Sequence, residues 1–137
     1  MKIHTTNYQD TFIEVAEDCP VSVSEIPLQK NIRTIAEMQY EMISKHPYHF
    51  TSDDIIFETY AQKNNFTEIE KPEERLKFFS KGQPCLRSSA LAKRYGFGIH
   101  HNNEGKVTLF SLESQEYKNF ISDNSVKKVK AMRSKRS

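Results

Sequence analysis

Residues 96–112, GFGIHHNNEGKVTLFSL, constrain the fold of this chain more than any other stretch. Two runs rich in apolar residues, GFGIHH and KVTLFSL, flank NNEG, where Gly105 is free to take the positive φ that a tight connection needs. The segment therefore reads as an antiparallel hairpin with strands over 97–101 and 106–112. Alternation along a strand places His101 on the face of Phe97 and Ile99, toward a core, and His100 on the opposite face with Gly98. Two histidines on opposite faces cannot easily serve one metal ion. His101 reads as a partly buried strand residue and His100 as an exposed one. A second reading has Gly98 admitting a ligand close to the strand, where His100 meets it.

Around this hairpin the chain alternates short strand and helix signals. TFIEVA (11–16) reads as a strand, and VSVSEI (21–26) as a weaker one, held to an edge or a loop by Pro20 and Pro27. Ile35, Met38, Met42 and Ile43 fall on one face of a helix over 34–45, which Pro47 stops. A second helix starts at Thr51 or Ser52 with Asp53 and Asp54 in its first turn, and carries the stripe Ile56, Phe57, Tyr60 and Ala61. A third opens at Pro72, with Leu76 and Phe79 on its buried face. Ser88 or Ser89 caps a short helix ending at Gly96, and a last helix covers about 114–122 with Tyr117, Phe120 and Ile121 on one side. Strands, helices, a hairpin and a helix in that order predict an α+β fold, a small antiparallel sheet packed by several helices.

A chain of 137 residues is one domain by size, able to bury roughly two-thirds of its unfolded surface. Hydrophobic residues at 36% and charged ones at 28% give a globular rather than a disordered profile. No apolar stretch approaches the ~20 residues of a membrane span, and the start, MKIHTTNYQD, lacks the apolar core of a secretory signal. Cys19 and Cys85 form no C-x-x-C and fit free thiols in a reducing compartment. The expected location is cytoplasmic, with no membrane partner.

Charge is unevenly spread. The last twelve residues, VKKVKAMRSKRS, hold six of the twenty Lys and Arg and no acid, which leaves 14 bases against 18 acids, a net of −4, in the rest. The chain therefore divides into a domain at 1–125 and a basic tail at 126–137. The tail cations are Lys127, Lys128, Lys130, Arg133, Lys135 and Arg136. A second basic group, Lys81, Arg87, Lys93 and Arg94, surrounds the short helix before the hairpin. A helix followed by a two-stranded wing is how winged helix-turn-helix proteins present DNA-reading residues, although the extra helix near 72–80 does not belong to that plan. Each group reads first as a solvated surface, a frayed terminus and an exposed helix face, and second as a contact for phosphates.

Signals for catalysis are sparser. Cys85 could act as a nucleophile with His100 or His101 from the hairpin, a pairing that only the fold can make. Its position between Pro84 and Leu86 equally suits a packed structural thiol. His46 and His49, in HPYH with Asp53 and Asp54 following, have metal-like spacing, but Pro47 breaks the helix that would align them; no metal is expected. With four glycines and no phosphate-loop motif, no nucleotide cofactor is expected either.

FIEVAEDCP, SKGQPCLR, KRYGFGIHHN and VKKVKAMRSKR together resemble a family of short bacterial proteins known as a domain of unknown function. The resemblance spans almost the whole chain. It implies a stand-alone protein whose basic end is native, and it carries no catalytic residue with it. The leading expectation is a non-enzymatic binding module for an anionic partner such as nucleic acid, using the two basic groups. The rivals are a small enzyme built on Cys85 and a protein-interaction module or homodimer paired through an exposed strand edge.

Overall fold

A computed structural model of the chain describes residues 2–29 and 31–135. The elements in order are β1 (Thr11–Glu14), α1 (Ile35–Lys45), α2 (Ser52–Lys63), α3 (Lys71–Phe78), a 3-10 turn (Leu86–Ser88), α4 (Ala90–Lys93), β2 (Phe97–His101), β3 (Val107–Ser111), α5 (Gln115–Ser122) and β4 (Lys127–Lys130). They form a single α+β domain around one four-stranded sheet of order β3-β2-β1-β4.

The hairpin forms as its sequence requires. His101 pairs with Val107 and Phe97 with Ser111. Gly105 turns the chain at φ 79, and the Asn102 side chain accepts from the amides of Glu104 and Lys106, both at 2.9 Å. β1 pairs antiparallel with β2 on its other side, setting Thr11 opposite His101 and Ile13 opposite Ile99. The sheet is not purely antiparallel, however. The start of the basic tail enters it as β4, which runs parallel to β1 with Val129 opposite Ile13. A boundary drawn at residue 126 thus cuts through the fold: Val129 packs on the main core and Ala131 is buried in it. Charge hid this strand, because its three lysines point along or away from a surface that only one valine needs to cover.

Pleat alternation divides the sheet into two faces. Ile13, Phe97, Ile99 and Val107 meet Ile43, Ile55, Leu86, Leu91 and Ala92 from α1, α2, the 3-10 turn and α4 in the main core. On the other face Phe12 packs edge-on against Tyr117 and stacks on Phe120 of α5, with ring centroids 5.0 and 4.8 Å apart. Gly98 makes room for this second layer. A Cβ there would lie 2.3 Å from Phe12 Cζ and 2.6 Å from Tyr117 Cε2. The open space above Gly98 that would admit a ligand is filled by the protein's own aromatic rings.

Helix starts follow their capping residues. Thr34 accepts from the Glu37 amide, and Thr51 with Asp54 closes a capping box at the head of α2. Three local expectations are corrected. Residues 21–26 form no strand; they cross over Gly96 as an irregular strap, held by the Glu25 amide on the Tyr95 carbonyl at 2.8 Å and by Glu113 on Ser24. Pro20 and Pro27 bracket that stretch, and a Val–Ser alternation too short to cover a sheet face cannot override them. Leu76 of α3 is 59% exposed and α3 fully buries no residue of its own; Phe79 just past its end, Phe78 packed on Phe57 and Tyr60, and the Arg75–Asp54 and Lys71–Glu58 ion pairs hold it on α2. Ile35 begins α1 at 49% exposure rather than in the core. Among the described residues no helix is long and apolar enough to cross a membrane.

Candidate functional site

The two basic segments that sequence separates by some forty positions meet in space. Arg87 leaves the 3-10 turn beside the end of β4, where its Nε donates to the Lys130 carbonyl at 2.7 Å and its own carbonyl accepts from the Met132 amide at 2.8 Å. Around this contact lies a groove of about 560 Å³ lined by Glu17, Arg87, Lys130, Ala131, Met132, Arg133 and Lys135. Four cations and one carboxylate share it. Glu17 pairs with Lys130 at 3.3 Å, while Arg87, Arg133 and Lys135 make no ion pair among the described residues.

The far wall of the groove is held by an acid. Asp18 accepts from the amides of Ser134 and Lys135, each at 2.9 Å, and the Lys135 amide holds its carboxyl below the ordinary carboxylate range. Two successive amides around one carboxylate form a small anion cradle filled from within the chain. This leaves the side chains of Arg133 and Lys135 available while their backbone is pinned.

The other predicted cations lie elsewhere. Lys81 is exposed beyond α3, and Lys93 and Arg94 end α4; none of these three lines the groove. Lys127 is exposed at the start of β4, and Lys128 donates from Nζ to the Asp123 carbonyl at 2.6 Å. Arg136 lies outside the described residues. The winged-helix plan has no counterpart: α4 is a single turn whose Leu91 and Ala92 are buried, and β2 is an interior strand paired on both sides rather than part of a projecting wing.

Cys85 and the histidines occupy three separate settings. The Cys85 thiol lines an apolar cleft of about 440 Å³ between α1, α2 and residues 84–90, and its hydrogen-bond partner is the Tyr8 hydroxyl at 3.3 Å, not a histidine. Burial, reinforced by Cys85, pushes the Tyr8 hydroxyl up to about 12, so Tyr8 stays protonated and is a poor base at neutral pH. His101 is fully buried, edge-on to the Tyr8 ring with centroids 5.4 Å apart, and neither ring nitrogen has a hydrogen-bond partner. Burial lowers it to about 4, so it is neutral at pH 7. His100 points to the opposite face, stacked on Phe120 at 4.4 Å, with Nδ1 bonded to the Tyr48 hydroxyl at 2.8 Å. Burial lowers its pKa too, against the pull of Asp10 and Asp123. His46 and His49 are both exposed, and no group of three or more metal-ligating side chains converges among the described residues.

Sequence reasoning missed Tyr8, Tyr48, Glu17 and Asp18. The last two stood in EDCP, read only as a turn; an acidic pair facing a basic tail was the available signal. Tyr48 holds φ 55, a backbone region costly for a side chain of its size, and nothing in HPYH announces the reach to His100.

A family model described as "Family of unknown function (DUF6157)" matches residues 3–137. No curated protein and no solved structure matches the chain.

Proposed function

We propose that this chain, which belongs to the DUF6157 family of unknown function, is a non-enzymatic binding module that takes an anionic partner along the groove of Arg87, Lys130, Arg133 and Lys135. The observation that carries this reading is the convergence itself. A chain of net charge only +2 collects cations from two distant segments into one concavity, and spends Asp18 on holding one wall in place. So small an overall charge draws a polyanion weakly, and attraction must come from such a local cluster. The two free thiols fit work in a reducing compartment.

Nucleic acid is one partner with the required charge. The groove would hold its phosphates and leave its bases unread, because neither an α-helix nor an aromatic side chain lines the site among the described residues. The test is a fluorescence-polarisation titration at low and at physiological salt with three labelled polyanions: duplex DNA, single-stranded DNA and polyglutamate. Binding that weakens steeply with salt, and that is lost in Arg87→Ala/Arg133→Ala/Lys135→Ala with the fold intact by circular dichroism, supports the reading. Absence of binding to all three at low salt overturns it.

A further inference from the structure

Resting on that reading, we propose that the anionic partner is an extended acidic segment of another protein, which adds to the sheet as a fifth strand along the outer edge of β4. The sheet has two edges, each covered over part of its length, and only that of β4 is lined with cations. Along β3 the Tyr48 amide donates to the Val107 carbonyl and the Val107 amide to the Phe50 carbonyl, both at 2.9 Å, and Thr51 bridges to Lys106. Residues 48–51 therefore cover the Val107 end of that edge, and the rest of it presents no basic side chain.

β4 is covered only at its C-terminal end, where Arg87 bonds the Lys130 carbonyl and the Met132 amide. The Lys127 amide donates inward to Asp10 and the Ala131 amide inward to Glu14, at 3.0 and 2.9 Å. Backbone groups alternate along a strand, so residues 127, 129 and 131 serve β1, while Lys128 and Lys130 turn theirs outward. Arg87 takes the outward carbonyl of Lys130. The Lys128 amide and carbonyl and the Lys130 amide have no partner among the described residues. Those three groups, at strand spacing, are what an added strand pairs with.

Charge selects the occupant. A second copy docking edge to edge would set KKVK against KKVK, and like charges opposite one another on a sheet repel. An incoming strand carrying Glu or Asp meets Lys127, Lys128 and Lys130 along its length, and reaches Arg87, Arg133 and Lys135 at the groove. A nucleic-acid strand could use the same cations, but it offers no backbone ladder to the outward amides and finds no aromatic ring on which to stack a base.

The experiment uses the full chain, a peptide of about eight residues alternating Glu with Val, the same peptide with one central Val replaced by Pro, and a single-stranded oligonucleotide of equal charge. Affinity is read by fluorescence polarisation and amide exchange by NMR. The alternating peptide is expected to bind roughly tenfold or more tightly than its Pro-containing form, and to slow exchange at the Lys128 and Lys130 amides. Lys128→Pro, which removes an outward donor at an edge where proline is tolerated, is expected to abolish that preference; Lys130→Glu is expected to weaken the alternating peptide by a similar factor should Lys128→Pro not fold. Equal binding of the two peptides, or no change in exchange at those amides, overturns strand addition while leaving the anion groove standing. Binding of the oligonucleotide without the peptide overturns the class of partner. Binding of neither removes the groove reading as well.

Discussion

The guanidinium Nε of Arg87 donates to the main-chain carbonyl of Lys130 at 2.7 Å, joining residues 43 positions apart. The bond turns a side chain from the middle of the chain into part of the rim of the last strand, and the fork has further N–H donors to share between the nearby Tyr8 hydroxyl and a ligand. Lysine cannot do both, since its single ammonium lacks the planar fork. Arg87→Lys is therefore expected to lower affinity for a polyanion by roughly threefold to tenfold despite conserving charge, while changing unfolding free energy by less than about 1 kcal/mol, because the bond is exposed. Titration beside chemical denaturation separates the two effects; an unchanged affinity would remove Arg87 from the site.

Gly98 is a packing device between the sheet and α5. Gly98→Ala must displace the Phe12 and Tyr117 rings, since the new methyl would sit 2.3 and 2.6 Å from them. A loss of about 1–3 kcal/mol or more is expected in urea unfolding. Adding Phe12→Leu to Gly98→Ala should cost less than the sum of the two single changes, because the residues share one space. Strict additivity would show that the rings yield freely.

His101 gives stability a pH dependence of definite sign. Its folded pKa of about 4 lies below the ordinary 6.5 because of burial, so the unfolded chain binds the proton more readily. Stability from this residue is complete above about pH 6.5 and is lost as pH falls toward 4, by about 3 kcal/mol in all, with His100 contributing in the same direction. His101→Leu removes a buried ring whose nitrogens are unpaired, and should flatten this slope without lowering stability at pH 7 by more than about 1 kcal/mol. Denaturation curves across that range are the check, and a slope that survives in His101→Leu would place its origin elsewhere.

The capping box of α2 is local enough to isolate. The Thr51 hydroxyl accepts from the Asp54 amide at 3.2 Å and the Asp54 carboxylate from the Thr51 amide at 3.0 Å. Thr51→Ala is expected to cost about 1 kcal/mol, and Thr51→Ser to retain most of the cap. Thermal unfolding of the two variants should rank them in that order below the parent protein.

What the sequence determined by itself is what neighbouring residues decide between them. The NNEG turn requires a residue free to adopt positive φ, and Gly105 supplies it. Thr34, Thr51 and Ser114 begin helices because their side chains accept from amides three residues on. Once the hairpin exists, the two-residue period of the strand sends His101 and His100 to opposite faces with no help from the rest of the chain; that His100 is half-buried under Phe120 rather than exposed is decided by α5. The tertiary structure alone decided everything that depends on who comes to lie beside whom. It brought Tyr8 rather than a histidine to Cys85, filled the space at Gly98 with rings from β1 and α5, and drew the basic end into the sheet beside Arg87. Lysines in a terminal run look like a solvated tail to any local reading. They become an edge strand because β1 has an open side, Val129 and Ala131 have a core to enter, and Asp10 and Glu14 offer carbonyls to the Lys127 and Ala131 amides.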